Sequence, residues 1–201
     1  DGEYSVCNSP YALACAVSQI TKNVRIGSAV KVLPLEHPLR TAEDVAMADI
    51  LSGGRIDFGV GTGYRKYEFE GLGISSDEKG GRFEEAIDII LGAWTQDEFS
   101  YDGKFYKVPL LSLVPKPIQK PHPPVWIATR LGTQAAIDYA AARGFRLLSA
   151  WAPRAELRQA YDQLVEARAK LALTDPLIYT CVRHVYVAET DAIAKREGEK
   201  Y

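Results

Sequence analysis

Two stretches decide the fold of this chain: Val24-Arg-Ile-Gly-Ser-Ala-Val-Lys-Val-Leu-Pro-Leu-Glu-His-Pro-Leu-Arg40 and Leu51-Ser-Gly-Gly-Arg-Ile-Asp-Phe-Gly-Val-Gly-Thr-Gly-Tyr64. Together they predict a strand, a helix and a second strand. Small residues lie in the first strand and follow the second, and such residues let a flat ligand approach the backbone closely. We therefore expect a ligand site at the carboxyl ends of these strands.

The alternation of strands and helices continues along the chain. Buried parallel strands read as continuous β-branched and apolar runs, whereas helices show apolar residues at a spacing of three and four. Strands are predicted at 24–33, 55–60, 125–128, 145–149 and 178–188, and helices at 10–21, 38–51, 82–94, 132–142, 153–171 and from Asp191 onward. A polar stretch at 61–81 is longer than most βα loops, which marks it as a candidate functional loop.

Strands that alternate with helices predict parallel βα units with right-handed crossovers. Two architectures fit: an open doubly wound sheet, or part of a (β/α)8 barrel. The run Gly59-Val-Gly-Thr-Gly63 has the wrong glycine spacing for a dinucleotide fingerprint, and no helix is predicted to start there. A complete barrel needs about 250 residues and eight strands, so five strands in 201 residues predict an incomplete one.

Composition excludes several classes of partner. The net charge of −2 provides no basic field for nucleic acid or an anionic membrane, and no apolar run is long enough to span a bilayer. The start of the sequence lacks the pattern of a signal peptide. Three cysteines fit neither a disulfide framework nor a metal site. We expect a cytoplasmic protein that binds neither nucleic acid nor a membrane.

The chain resembles the bacterial luciferase-like flavin monooxygenase family. The resemblance rests on the long string from Gly27 to Tyr64 and, in the same order, on Glu68-Phe-Glu-Gly-Leu-Gly73, Gly81-Arg-Phe-Glu-Glu-Ala86, Tyr101-Asp-Gly-Lys-Phe-Tyr106 and Pro117-Ile-Gln-Lys-Pro-His-Pro-Pro-Val-Trp-Ile127. It implies an α/β fold, a (β/α)8 TIM barrel, of which this chain supplies strands three to seven. Residues 1–201 then form a single barrel domain whose N- and C-terminal units are missing.

The resemblance also implies chemistry. The expected activity uses reduced FMN and O2 to oxygenate a small organic substrate, with the reduced flavin supplied by a separate reductase. An F420-dependent hydride-transfer enzyme of the same fold and a non-catalytic flavin-binding relative remain alternatives. The family usually pairs through helices in the N-terminal half, which implies a homodimer.

No catalytic residue is carried over, because the family's histidine near the end of strand two has no counterpart in this sequence. No metal site is expected either. His37, His122 and His184 lack the partner spacing of a metal site or a catalytic triad, and we assign them structural roles.

The expected cofactor contacts form three groups. The first group, Ala29 and Val30, matches a pair joined by a cis peptide that bulges against the isoalloxazine ring in several family members. An ordinary trans strand is the alternative. The second matches the loop near the ribityl chain and phosphate, where the luciferase branch has cysteine and arginine at the first two positions. The third opens a helix whose amino end can bind a phosphate, with a plain helix cap and a solvated arginine as the alternative. The groups are Ala29 and Val30; Gly61, Thr62, Gly63 and Tyr64; and Thr129, Arg130, Gly132 and Thr133. The loop at 61–81 and Trp151 are expected to shape the substrate pocket.

Overall fold

The computed structural model describes residues 9–129, 133–150, 152–174, 176–182 and 186–198. The helices are Pro10–Ile20 (α1), Pro38–Ser52 (α2), Lys66–Gly71 (α3), Lys79–Thr95 (α4), Gln134–Ala142 (α5), Arg154–Lys170 (α6) and Asp191–Gly198 (α7). The strands are Ile26–Gly27 (β1), Lys31–Val32 (β2), Ile56–Gly61 (β3), Phe99–Asp102 (β4), Lys107–Leu111 (β5), Val125–Thr129 (β6), Arg146–Ala150 (β7) and Tyr179–Val182 (β8).

The main sheet is parallel, and its strand order follows the chain. β1 and β2 both pair with β3, and the sheet continues through β6, β7 and β8. A doubly wound sheet would reverse its order at a switch point, whereas this sheet keeps one direction and curls as a barrel wall does. The predicted α/β fold, an incomplete (β/α)8 TIM barrel, is confirmed. β4 and β5 form a separate antiparallel hairpin.

Three local predictions need correction. The strand expected at 24–33 is divided into β1 and β2, and a 3₁₀ turn at Leu33–Leu35 follows. The stretch at 61–81 is not a plain loop, because it holds α3, a 3₁₀ turn at Ser76–Glu78 and the start of α4. The last predicted strand ends at Val182, with 183–185 outside the described residues.

The helix boundaries have local causes. Before α2, His37 accepts a hydrogen bond through Nδ1 from the amide of Leu39 at 3.3 Å, and Pro38 occupies the first turn, where no donor is needed. Gly53 ends the helix in the left-handed conformation at φ 67°. Leu51, whose helical spacing from the other apolar residues of 38–51 would place it on the inward face, is about half exposed.

The core lies between the sheet and the helices. α4 buries Phe83, Ile87, Ile90 and Trp94, which confirms its predicted amphipathic face. The indole of Trp94 packs edge-on against Phe58, with ring centroids 5.2 Å apart, and its Nε1 donates to the carbonyl oxygen of Ala42 at 3.0 Å. A buried indole N–H needs such an acceptor.

Charged and amide side chains join the amino ends of the strands, which we call the floor. Arg25 donates to both carboxylate oxygens of Asp57, at 2.9 and 3.0 Å, and Arg146 lies 3.6 Å from the same carboxylate. Arg146 also lies over the ring of Trp126, 5.2 Å from its centroid. The polar residues are therefore bound to one another at this end of the barrel wall.

One fully buried carboxylate anchors the proline-rich connection to the floor. Asp49 on α2 accepts hydrogen bonds from the backbone amide of Gln119 at 3.0 Å and from its side-chain amide at 2.7 Å. Gln119 also donates to the carbonyl oxygen of Ile56 at 2.8 Å. The long excursion before β6 is thus attached to both α2 and β3.

None of the helices in the described residues is both long and apolar enough to cross a bilayer.

Candidate cofactor site

The carboxyl ends of β2, β3 and β6 meet at one edge of the sheet, which we call the mouth. β2 aligns Val32 with Gly61, and β3 aligns Val60 with Ile127. A Cβ placed on Gly61 would lie 2.9 Å from Cγ2 of Val30 and 3.8 Å from Cβ of Ala128. The structure therefore brings together Val30 and Gly61 from the first two predicted groups.

The peptide bond between Ala29 and Val30 is cis. This is the geometry that the family resemblance implied, and the bond lies between β1 and β2. Ser28, the residue before it, donates a hydrogen bond from Oγ to the carbonyl oxygen of Gly59 at 2.8 Å. The phenol of Tyr11 lies 2.9 Å from the same Oγ.

The loop after β3 depends on glycine at Gly63. Its φ is 76°, and an added Cβ would lie 2.6 Å from Cγ1 of Val32. Both the backbone conformation and the space therefore favour glycine. Thr62 and Tyr64 flank this residue at the mouth, and Tyr64 is 76% exposed.

A cluster of two tyrosines and one arginine follows this loop. Arg65 donates to the phenol oxygens of Tyr64 at 3.3 Å and Tyr67 at 3.0 Å, and it lies 3.7 Å from the carboxylate of Glu68. The hydrogen bonds to the two phenols raise the pKa of the Arg65 guanidinium. Arg65 therefore places a fixed positive charge three residues after Thr62.

The third predicted group is only partly described. Thr129 ends β6, and its Oγ1 is buried with no hydrogen-bond partner among the described residues. Arg130 and Gly132 lie outside the described residues, as does Trp151. α5 begins at Gln134 and not at Gly132, and Thr133 is its N-cap, whose Oγ1 accepts from the amide of Ala136 at 3.3 Å. The cap interpretation of Thr133 therefore describes one of its contacts, while its hydroxyl hydrogen can still be donated.

The histidines of the described residues pack against aromatic rings. His37 caps α2 and contacts Tyr106 edge-on, with centroids 5.9 Å apart. His122 stacks on Trp94 with centroids 6.4 Å apart. His184 lies outside the described residues. Within the part of the chain that the structure describes, no three potential metal ligands form a group.

Sequence reasoning missed an ion pair that lies behind the mouth. Lys31 in β2 is 7% exposed and pairs with the carboxylate of Glu36. Asp44 on α2 lies near this pair, and partial burial raises the pKa of its carboxyl, with the positive charge of Lys31 opposing that shift and Glu36 adding to it. No sequence pattern around a single lysine in an apolar strand indicates whether its side chain forms a buried ion pair or lies exposed at the edge of the sheet.

The described mouth fits a flavin. At Gly61 and Ala128 the strands carry no side chain larger than a methyl group, and small residues let a flat ring system approach the backbone closely. Among the residues that the structure describes, the buried Oγ1 of Thr129 has no hydrogen-bond partner, and a polar ligand atom can supply one. When bound, a flavin supplies the redox chemistry, and the protein supplies its position and the exclusion of water.

A family model described as luciferase-like monooxygenase matches residues 1–201. The chain belongs to this family. The flavin-dependent trigonelline monooxygenase oxygenase component of Acinetobacter baylyi is 33% identical over 129 residues, which are 63% of this chain and 36% of that protein. The FMNH2-dependent dimethylsulfone monooxygenase of Pseudomonas putida is 35% identical over 129 residues, 63% of this chain and 34% of that protein.

Solved structures share the fold. The monooxygenase RslO1 of Streptomyces bottropensis superimposes with a TM-score of 0.88 at 26% identity, over 96% of this chain and 59% of that one. The F420-dependent tetrahydromethanopterin reductase of Methanopyrus kandleri gives a TM-score of 0.77 at 18% identity, over 92% and 57%. The aligned part of this chain thus spans about a third of the two sequence relatives and under two thirds of the two structures.

Proposed function

We propose that this chain is part of a flavin-dependent monooxygenase that uses reduced FMN and O2 to oxygenate a small organic substrate. The observation that carries the proposal is the mouth itself: Gly61 of β3 lies between Val30 and Ala128 of β6, where the carboxyl ends of β2, β3 and β6 meet. Both named sequence relatives are monooxygenases, described as flavin-dependent and FMNH2-dependent. Residues 1–201 would form one barrel domain together with strands outside this chain.

Each predicted contact has a role in this proposal. The segment at Ala29 and Val30 would support the isoalloxazine ring, and the loop Gly61–Tyr64 would border the ribityl chain. Thr129 would hydrogen-bond the cofactor through its buried hydroxyl, and Arg130, Gly132 and Thr133 would surround the phosphate. A hydroxyl and backbone amides at a helix start are suitable phosphate ligands.

A second candidate is an F420-dependent hydride-transfer enzyme. The fold similarity to an F420-dependent reductase supports it. Titration of the full-length protein with FMN and, separately, with F420 distinguishes the two, because each bound cofactor has its own absorbance. A protein that takes up F420 and not FMN would support the second candidate.

The activity test follows oxygen uptake by the full-length protein with reduced FMN and a panel of small organic compounds. We expect uptake above the background of free reduced flavin, together with an oxygenated product. One relative is described as an oxygenase component, which supports a separate reductase as partner. Binding of FMN without any uptake above background would favour the non-catalytic flavin-binding alternative.

The proposed assembly is a homodimer formed through α1 and α2. Both helices carry large apolar side chains that are between 43% and 85% exposed: Leu13, Ile20, Met47 and Leu51. Burial of such surface favours association. Light scattering that shows only a monomer of the full-length protein would contradict the dimer.

Substitution of Thr133 tests the proposed phosphate anchor. Thr133→Glu removes the hydroxyl donor and places a negative charge beside the phosphate. One charge-assisted hydrogen bond contributes about 1.5–3 kcal/mol, so we expect FMN affinity to fall at least about tenfold. Riboflavin, which lacks the phosphate, should be affected much less.

The matched control is Thr133→Ser, which keeps both the cap and the hydroxyl and should bind FMN as the parent does. Fluorescence titration measures all four combinations of variant and ligand. If Thr133 is only the N-cap of α5, FMN and riboflavin will bind to the Glu variant as they bind to the parent.

A further inference from the structure

The absence of a side chain at Gly59 creates the space in which the Ser28 backbone lies. A Cβ on Gly59 would lie 1.7 Å from the carbonyl oxygen of Ser28 and 2.9 Å from its carbonyl carbon. Gly59 has no positive φ, so its own backbone would accept alanine. The conflict would be with the Ser28 backbone, which would have to move.

Two hydrogen bonds hold the same segment from the other side. The hydroxyl of Ser28 donates its single hydrogen to the carbonyl oxygen of Gly59 at 2.8 Å. Its oxygen can therefore only accept from Tyr11, whose phenol lies 2.9 Å away. The chain of donation runs from Tyr11 on α1, through Ser28, to β3.

The phenol of Tyr11 is suited to remain a donor. Tyr11 is 3% exposed and packs against Phe58, with ring centroids 6.5 Å apart. Burial raises the pKa of this phenol far above its usual value, so it stays protonated throughout the neutral range. A protonated phenol with one acceptor at hydrogen-bond distance gives the segment a fixed attachment.

We propose that Tyr11 and Ser28 are positioning residues for the flavin, because their hydrogen bonds set the place of the segment Ser28–Val30 at the mouth. The inference rests on the proposed function, in which Ala29 and Val30 support the isoalloxazine ring. Tyr11 acts through Ser28 and lies in the buried layer between α1 and the sheet. The Tyr11 side chain therefore affects the position of the flavin ring from the helix side of the sheet.

The test measures cofactor binding and the absorbance of the bound flavin in the full-length protein. Tyr11→Phe removes one hydrogen bond and Ser28→Ala removes two, so we expect the Kd for FMN to rise roughly three- to tenfold in the first variant and at least as much in the second. The bound-flavin absorbance band should shift in both. The Kd for riboflavin should rise by the same factor, because the segment supports the ring and not the phosphate. Tyr11→Phe made in the Ser28→Ala background should add little.

Conservative and steric variants sharpen the result. Ser28→Thr keeps the hydroxyl and should restore the parent's affinity and spectrum. Gly59→Ala displaces the segment and should weaken binding by more than about tenfold. The controls are Tyr101→Phe, which removes a phenol from the separate hairpin, and Gly80→Ala, where an added Cβ has no neighbour within 4 Å.

The outcomes separate the two proposals. A parent protein that binds FMN, together with a Tyr11→Phe variant that melts earlier but keeps the parent's Kd and spectrum, would overturn the positioning role and leave the proposed function intact. A parent that binds neither flavin would overturn the proposed function and the positioning role together. Should Gly59→Ala fail to fold, Tyr11→Phe, which removes a single oxygen atom, decides the question.

Discussion

At the mouth, β3 and β6 present Gly61 and Ala128, whereas toward the floor the same faces of these strands carry Asp57 and Trp126. Side chains two residues apart on a strand lie on one face, so each strand changes from large polar or aromatic residues to small ones within four positions. The floor holds its residues together through side-chain hydrogen bonds and ion pairs. At the mouth, small residues instead allow close packing, as where Val30 lies against Gly61.

This contrast matches a general division of roles between the two ends of a barrel wall. In (β/α) barrels the carboxyl end of the strands carries function and the amino end carries stability. Substitutions at the floor should therefore affect unfolding and spare the cofactor, while substitutions at the mouth should do the reverse.

The largest expected effect is at the floor. Asp49→Ala removes the buried acceptor of two hydrogen bonds from Gln119, one to the backbone amide and one to the side chain. Hydrogen bonds to a charged group contribute about 1.5–3 kcal/mol each, and a donor left buried without a partner adds to the loss. We expect the free energy of unfolding to fall by about 3 kcal/mol or more, measured by denaturant titration.

The affinity of folded Asp49→Ala for FMN should equal that of the parent. The control Asp138→Ala removes an exposed aspartate of α5 and should change stability by less than about 0.5 kcal/mol. Weaker FMN binding by Asp49→Ala without a change in unfolding would show that the floor and the mouth are not separate in this way.

An intermediate effect is expected at the mouth. Gly61→Ala places a methyl group 2.9 Å from Cγ2 of Val30, a side-chain atom that can shift. Overpacking of this kind costs at least about 1 kcal/mol, and the added group also occupies space proposed for the flavin. We expect FMN affinity to fall severalfold in a fluorescence titration, with a fall of only a few degrees in the melting temperature.

Gly71→Ala is the matched control, because an added Cβ at Gly71 meets nothing within 4 Å. It should leave FMN binding unchanged. Equal losses of FMN affinity in both variants would show that crowding at Val30 is not the cause.

The smallest effect concerns pH and lies behind the mouth. Burial raises the folded-state pKa of the Asp44 carboxyl above its ordinary value. At neutral pH the ionised group therefore opposes folding, and the parent gains stability as pH falls through this raised pKa toward the unfolded value of about 3.9. Asp44→Asn removes the charge at every pH.

We expect Asp44→Asn to be slightly more stable than the parent at pH 7 and to lose that advantage as the pH falls below about 4. Thermal melts at a series of pH values measure it. Because Asp44 is largely exposed, solvent screening keeps the effect small. An advantage of the same size at every pH would point to packing and not to the carboxyl charge.

Local sequence patterns were sufficient to predict a helix or strand where one face of that element meets the core along its whole length. The spacing of Phe83, Ile87 and Ile90 predicted α4, and the glycines after α2 predicted its end. The apolar runs also predicted the parallel strands. The same reasoning did not succeed for Leu51, because helical spacing cannot distinguish a side chain at the margin of the buried face from one in its centre.

The amino-acid sequence was sufficient for the alternation of strands and helices and, through the resemblance to a family, for the barrel type of sheet and the proximity of Val30 to Gly61. It was not sufficient for the hydrogen bond from Tyr11 to Ser28, for the Ser28 backbone that fills the space at Gly59 or for the pairing of Lys31 with Glu36, which depend on the tertiary structure. Periodicity reports which face of an element is apolar, because burial repeats with the period of the backbone. These contacts instead join residues from different elements, and their partners depend on how helices and strands are placed in space.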